Sequence, residues 1–155
     1  MRVKDVMTQH PICCHASDSA QSVAKAFRDE DIGSLPVITD GESNQLEGII
    51  TDRDLCCTIV AEGLDPKTTP IAAYVRRNPI TCRAEHSLDA CERLMQMHQV
   101  RRVPVVDQRG CCIGMVSQAD LARSEQSDKV HRTLSEISKP SRTIIAISMV
   151  SQRAV

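Results

Sequence analysis

The 155-residue chain has almost no aromatic residues: it contains no Trp, one Phe (Phe27) and one Tyr (Tyr74). Proteins that bind single-stranded nucleic acid stack its bases on aromatic side chains, and this chain has no such platform. An excess of one charge is also missing, because 19 Lys and Arg residues balance 20 Asp and Glu residues. The sequence therefore predicts no binding to nucleic acid or to an anionic membrane surface.

No run in the sequence approaches the roughly 18 apolar residues that a membrane-spanning helix needs, and residues 1–8 contain no apolar core of a signal peptide. We therefore expect a soluble, cytoplasmic protein whose eight cysteines are reduced. Neighbouring residues on a strand point to opposite faces, so adjacent cysteines are poor disulfide partners. Six of the cysteines are adjacent in this way: Cys13 and Cys14, Cys56 and Cys57, and Cys111 and Cys112.

What the sequence does contain is an internal duplication. Residues 48–55 and residues 114–121 both read glycine, two aliphatic residues, a hydroxyl residue, two variable positions, aspartate and leucine. This pattern predicts a buried strand that runs into a helix. The preceding segments repeat as well, since residues 35–39 correspond to residues 103–107. Because the matched positions fall at prolines, glycines and the aspartate, we infer two copies of one unit.

The duplication divides the chain into four parts. They are a first repeat at residues 1–62, a linker at 63–70, a second repeat at 71–123 and a C-terminal extension at 124–155. Each repeat is predicted to run strand, helix, strand, strand, helix. We expect the extension to continue the last helix over residues 124–138. The apolar stretch 142–150 is expected to pack on the module or on a second copy, or to be partly disordered.

Turn and cap residues predict the bounds of the elements. In the first repeat we expect a strand at residues 11–14, a helix with Ser17 or Asp18 as N-cap and Gly33 as C-cap, strands at 35–39 and 46–51, and a helix over about 52–62. In the second repeat we expect a strand at residues 79–82 and a helix at about 87–98.

These halves resemble tandem cystathionine-beta-synthase (CBS) domains, the pair often called a Bateman module. The resemblance covers about residues 1–123, and its motifs lie at residues 3–8, 11–12, 32–37, 48–55, 98–107 and 114–121. It implies an α+β fold of two pseudo-twofold-related β-α-β-β-α repeats, like that of small stand-alone bacterial proteins. One departure is that residues 73–76 read Ala-Tyr-Val-Arg where the family often repeats Asp-Val-Met-Thr.

A hydroxyl residue precedes a carboxylate by three positions in both copies, as Thr51 with Asp54 and as Ser117 with Asp120. Taken alone, this pattern is typical of a capping box at the start of a helix. The resemblance implies a second role, in which the aspartate holds ribose hydroxyls and the hydroxyl residue lies near a phosphate. A helix N-terminus favours an anion, so the two roles are compatible.

Arg101 and Arg102 precede a strand at the place where, by resemblance, basic residues contact phosphates. Guanidinium groups suit that role because they form bidentate hydrogen bonds, although the pair also suits a solvated basic turn. In the first half, Arg53 is the candidate cation, and it is equally a surface helix residue. We therefore expect unequal clefts, with the better phosphate site beside Ser117 and Asp120.

The base pocket is implied by resemblance to lie at the two Pro-Ile pairs. Ile12 and Ile80 begin the strands that line it, and Pro36 and Pro104 add apolar walls. Core and turn structure explains these residues equally well.

The sequence predicts a regulatory sensor that binds an adenosine-type ligand (AMP, ADP, ATP or S-adenosylmethionine) in one or both clefts. We expect a homodimer that signals to an unidentified protein, with no catalytic residues and no required cofactor. A ligand-free scaffold is one alternative, and a cysteine-based redox or metal sensor is another. His10, Cys13, Cys14 and His15 bring zinc-type ligands together, but strand alternation separates them, so no metal site is predicted.

Overall fold

Each repeat forms its own small sheet with helices beside it. The structure is a computed structural model that describes residues 1–41, 43–124 and 127–139. The first repeat contains a short 3-10 helix at Val3–Asp5, β1 (Thr8–Gln9), β2 (Cys14–His15), α1 (Ala20–Asp29), β3 (Ser34–Ile38), β4 (Leu46–Thr51), α2 (Asp52–Leu55) and a π-helical turn at Cys56–Val60.

The second repeat follows the same order. It contains a 3-10 helix at Ile71–Ala73, β5 (Arg76–Arg77), α3 (Leu88–His98), β6 (Arg102–Val106), β7 (Cys112–Ser117) and α4 (Gln118–Ser124), and α5 (Ser127–Ile137) comes after it. The α+β class predicted from the sequence is confirmed. The strand predicted at residues 79–82 is reduced to a single parallel bridge between Cys82 and Val105. Pro79 has no N–H to donate, so only the end of that segment pairs.

Each repeat contributes its lead-in strand to the sheet of the other repeat. One sheet has the order β2-β3-β4-β5, and the other has the order β1-β7-β6. Strand β1 lies antiparallel to β7, with Thr8 opposite Met115. Strand β5 lies antiparallel to β4, with Arg76 opposite Ile49. The two repeats are therefore interlocked by strand exchange at the edges of their sheets.

The hydrophobic cores follow the same exchange. Val3, from the first repeat, is fully buried in a core otherwise built from α3, β6, β7 and the residues around them. Ile71 and Val75, from the second lead-in, complete the core around α1, β3 and β4. The hairpin turns also meet, because Leu46 N donates to Gly110 O at 3.0 Å and Cys112 N donates to Asn44 O at 3.2 Å.

Helix α1 begins and ends at residues other than those predicted. Ser19 is its N-cap, and its hydroxyl accepts a hydrogen bond from Ser22 N at 3.2 Å. Asp18 instead accepts from His15 N at 2.8 Å, which ties it to the preceding turn. After the helix, the chain turns through Asp31 with φ 52°. Aspartate tolerates this left-handed conformation, so the predicted glycine C-cap at Gly33 was wrong.

The extension was predicted to continue the last helix, and its described part is α5, which packs against α3 as well as α4. Gln96 Nε2 donates to Thr133 Oγ1 at 2.8 Å, and Ile137 joins the second core. The apolar stretch 142–150 lies outside the described residues. Within the described segments, no helix is both long enough and apolar enough to cross a membrane.

Candidate functional site

Residues from both repeats line one cleft of about 560 Å³. Six of the residues that the sequence predicted to bind a ligand lie around it: Ile12, Pro36, Arg101, Arg102, Ser117 and Asp120. Thr8, Gly33, Ser34, Met115 and Arg123 are also among its walls. The remaining predicted residues do not line this cleft: Thr51, Arg53, Asp54, Ile80 and Pro104. Four of them, Thr51, Asp54, Ile80 and Pro104, correspond in the opposite repeats to Ser117, Asp120, Ile12 and Pro36, so a second site at these residues stays a prediction.

Asp120 is held at the start of α4 by the predicted capping interaction. Its Oδ2 accepts hydrogen bonds from Ser117 N at 2.7 Å and from Ser117 Oγ at 2.6 Å. Asp120 N donates in return to Ser117 Oγ at 3.3 Å. The other carboxylate oxygen, Oδ1, accepts from the exposed side chain of Arg123. The cap therefore fixes the Asp120 carboxylate at the wall of the cleft, where its Oδ1 pairs with the exposed guanidinium of Arg123.

Three arginines line the same cleft: Arg101, Arg102 and Arg123. The carbonyl of Arg101 accepts from Gln118 N at 2.9 Å, which joins the arginine pair to the start of α4. Gly33 lies beside two charged side chains, since a Cβ on it would lie 3.2 Å from Arg102 Nη2 and 3.2 Å from Asp52 Oδ2.

The walls of the cleft are not uniformly basic or polar. Glu30 and Asp31 add carboxylates near the arginines. Ile12 also lines the cleft and leaves 44 % of its surface exposed. Pro36, on β3, is a second apolar wall residue. The cleft therefore combines apolar residues, the hydrogen-bonded carboxylate of Asp120 and arginine side chains. This composition is typical of a site that binds a small polar molecule.

Asp54 has the same capping geometry in the first repeat. Its Oδ2 accepts from Thr51 N at 3.0 Å and from Thr51 Oγ1 at 2.7 Å. Its Oδ1, however, accepts from Arg76 Nε at 3.0 Å and from Arg76 Nη2 at 2.6 Å. Sequence reasoning proposed Arg53 as the local cation and missed Arg76. The signal was present in the sequence, since Arg76 belongs to the segment that departs from the family pattern.

Four of the cysteines lie close together in two pairs, Cys13 with Cys112 and Cys82 with Cys91. The Cys13 and Cys112 thiols form a hydrogen bond, which lowers the pKa of Cys13 and raises that of Cys112. Cys82 and Cys91 form a similar bond inside the second core. Among the described residues, no group of three or more His, Cys, Asp or Glu side chains could hold a metal ion.

The model of the CBS domain family matches the chain twice, at residues 3–60 and 71–127. The fold and the paired repeats define a tandem pair of such domains. The chain belongs to the CBS domain family. It is similar to hypoxic response protein 1 of Mycobacterium tuberculosis, with 34% identity over 120 residues, which cover 77% of this chain and 82% of that relative. The resemblance to stand-alone CBS-domain proteins is thereby confirmed.

Solved structures give the same family. The crystal structure of hypoxic response protein I with two coordinated zinc ions has a TM-score of 0.72 and 32% identity, covering 81% of this chain and 100% of that one. The CBS pair of MJ0100 in complex with 5′-methylthioadenosine and S-adenosyl-L-methionine has a TM-score of 0.70 and 29% identity. The match covers 79% of this chain and 94% of that one. CBSX2 in complex with AMP has a TM-score of 0.69 and 27% identity, and the match covers 79% of this chain and 94% of that one.

Proposed function

We propose that this CBS pair is a regulatory sensor that binds an adenosine-containing ligand in the cleft beside Asp120. The ligand class comprises AMP, ADP, ATP and S-adenosylmethionine. The proposal assigns no catalytic step to the chain. It includes a homodimer in the cytoplasm and a protein partner that reads the bound state.

The observation that carries the proposal is the composition of the cleft. Asp120, Arg101 and Arg102 come from the second repeat, whereas Ile12 and Pro36 come from the first. A ligand in this cleft would contact both repeats at once. Two relatives of known structure, which share 27–29% identity with this chain, hold adenosine-containing ligands. Their ligands support the class proposed here.

Each part of such a ligand has a chemically suitable neighbour. The Asp120 carboxylate is a hydrogen-bond acceptor for ribose hydroxyl protons. Arg101 and Arg102 are donors for phosphate oxygens, and a guanidinium matches two of those oxygens at a time. Ile12 and Pro36 provide the apolar surface on which a base is desolvated. Arg123 donates a hydrogen bond to Asp120, and its side chain is 73% exposed, so it is a further candidate donor to the ligand.

The regulatory step is a shift of population between arrangements of the two repeats. A ligand that contacts both repeats stabilises the arrangement in which its contacts are complete. The size of the shift equals the difference in binding free energy between the arrangements. A partner that binds one arrangement better than the other then senses the ligand concentration.

Isothermal titration calorimetry with AMP, ADP, ATP and S-adenosylmethionine tests this proposal. We expect at least one of them to bind the wild type, and Asp120→Asn to weaken it by about tenfold or more, since hydrogen bonds to charged groups contribute about 1.5–3 kcal/mol. Asp54→Asn is the matched control, because Asp54 has the same cap and lies outside the cleft. It should leave the affinity unchanged.

Two outcomes would count against the proposal. If the double variant Asp120→Asn with Arg102→Ala binds as tightly as the wild type, the ligand lies elsewhere. If none of the four compounds produces heat with the folded wild type, the pair is a scaffold module instead of a sensor. Thermal unfolding of each variant checks that the cap at α4 is retained.

A further inference from the structure

We propose that Arg76 occupies the ligand position of the second cleft, so that each chain binds a single adenosine-type ligand. This inference rests on the proposed function and concerns its stoichiometry. It follows from the different partners of the two equivalent aspartates, Asp54 and Asp120.

The hydrogen bonds of Asp54 leave no acceptor site for a ribose. A carboxylate has about four lone-pair sites, two on each oxygen. Thr51 uses both sites of Oδ2, with its N–H at 3.0 Å and its hydroxyl at 2.7 Å. Arg76 uses both sites of Oδ1, through Nε at 3.0 Å and Nη2 at 2.6 Å. A ribose hydroxyl can reach this carboxylate only by displacing the guanidinium.

Asp120 is less fully occupied by the described residues. Ser117 uses two sites of Oδ2, and Arg123 donates a single hydrogen bond to Oδ1 through Nη2. Arg123 lies three residues further along the same helix and is itself a wall of the open cleft. One Oδ1 site therefore remains for a ligand even before Arg123 moves.

Strand exchange explains why an arginine reaches Asp54. Arg76 lies opposite Ile49 on β4, two residues before Thr51. Thr8 lies opposite Met115 on β7, two residues before Ser117. Thr8 and Arg76 thus hold equivalent places in the two sheets. The short Thr8 side chain lines the open cleft, whereas the longer Arg76 side chain extends to the aspartate.

The backbone of Arg76 is also held close to β4. A Cβ on Gly48 would lie 2.7 Å from Arg76 O, so the two strands approach as closely as a glycine allows. The Asp54 side chain is only 11% exposed. The Arg76 side chain is 66% exposed, but its guanidinium donates two hydrogen bonds to this carboxylate. Arg123 donates only one to Asp120, which is buried to a similar extent, so the pair at Asp54 is the stronger one.

The test is the stoichiometry of binding of AMP, S-adenosylmethionine and adenosine, the last of which needs no phosphate contact. Calorimetry of the full chain should give one ligand per chain for the wild type and two for Arg76→Thr, which copies the residue at position 8. Arg77→Thr is the matched control. It removes the next arginine of β5, whose guanidinium faces Glu47 at 3.5 Å and not Asp54, and should retain one ligand.

A reciprocal variant keeps the inference testable if Arg76→Thr does not fold. Thr8→Arg places an arginine at the equivalent position of the open cleft and should abolish binding there. A wild type that binds two ligands, or an Arg76→Thr variant that still binds one, contradicts the role of Arg76 while the proposed function stands. If neither the wild type nor any variant binds these three compounds, ADP or ATP, the proposed function itself is wrong.

Discussion

At the scale of single residues, adjacent side chains in this protein differ sharply in their surroundings. Cys13 and Cys14 are neighbours in sequence, yet a hydrogen bond from the Cys112 thiol lowers the pKa of Cys13. Burial, together with the nearby charge of Asp18, raises the pKa of Cys14 to about 12. The thiolate is the reactive form of cysteine, so the two thiols should differ in reactivity.

We expect iodoacetamide at pH 8 to alkylate Cys13 well before Cys14. The alkylated residues can be identified by peptide mass spectrometry at successive times. Cys112→Ala removes the hydrogen bond and should slow the reaction at Cys13 without accelerating that at Cys14. Equal rates at Cys13 and Cys14 in the wild type would contradict the assigned environments.

At the scale of elements, the exchanged strands depend on two glycines. A Cβ on Gly48 would lie 2.3 Å from Val75 Cγ1 and 2.7 Å from the backbone oxygen of Arg76. A Cβ on Gly114 would lie 2.6 Å from Met7 Sδ and 3.3 Å from Thr8 O. At Gly48 the Cβ would collide with a backbone atom of β5, which cannot move on its own. At Gly114 it would collide mainly with the flexible side chain of Met7.

Gly48→Ala should therefore destabilise the protein more than Gly114→Ala. Overpacking of this kind costs about 1–3 kcal/mol, and we expect Gly48→Ala in that range and Gly114→Ala below it. Urea unfolding of the two variants and the wild type measures the difference. Equal losses would mean that β5 moves away from β4 as easily as Met7 moves aside.

The sequence predicted the elements that local patterns determine, and it did not predict those that depend on the opposite repeat. The predicted bounds of the strand at residues 46–51 match β4, because a local apolar run determines it. Strands β1 and β5 have only two residues each, and their hydrogen bonds come from the opposite repeat. No local pattern indicates such strands. For the same reason the sequence predicted the caps at Asp54 and Asp120 but not the Arg76 partner.

At the scale of the whole molecule, the two repeats present different helix faces. Helix α5 covers α3 of the second repeat, with Thr133 buried beside Glu92 and hydrogen-bonded to it. Beside α1 and α2 of the first repeat lies a groove of about 740 Å³, which is lined mainly by apolar residues and also by Arg28, Asp31, Asp52 and Arg102. Val60 lies at this groove and is 73% exposed. The proposed homodimer is therefore expected to form through the first repeat.

Val60→Glu should shift the protein from dimer to monomer, because it replaces an exposed apolar side chain of the expected interface by a charged one. Sedimentation velocity at several concentrations measures the change. Met97→Glu is the matched control, since Met97 is 76% exposed on α3 and lies outside the groove. A Val60→Glu protein that remains dimeric, or a wild type that is monomeric, would contradict this interface.

The burial of Val3 has a consequence for how the protein is made. Val3 is made more than a hundred residues before Val116 and Leu121, which belong to the core that receives it. The first core likewise waits for Ile71 and Val75. During translation the amino-terminal segment therefore has no native partner until both copies have emerged. The first core can therefore form once Val75 has been made, whereas the second core, which holds Val3, forms only after the second repeat.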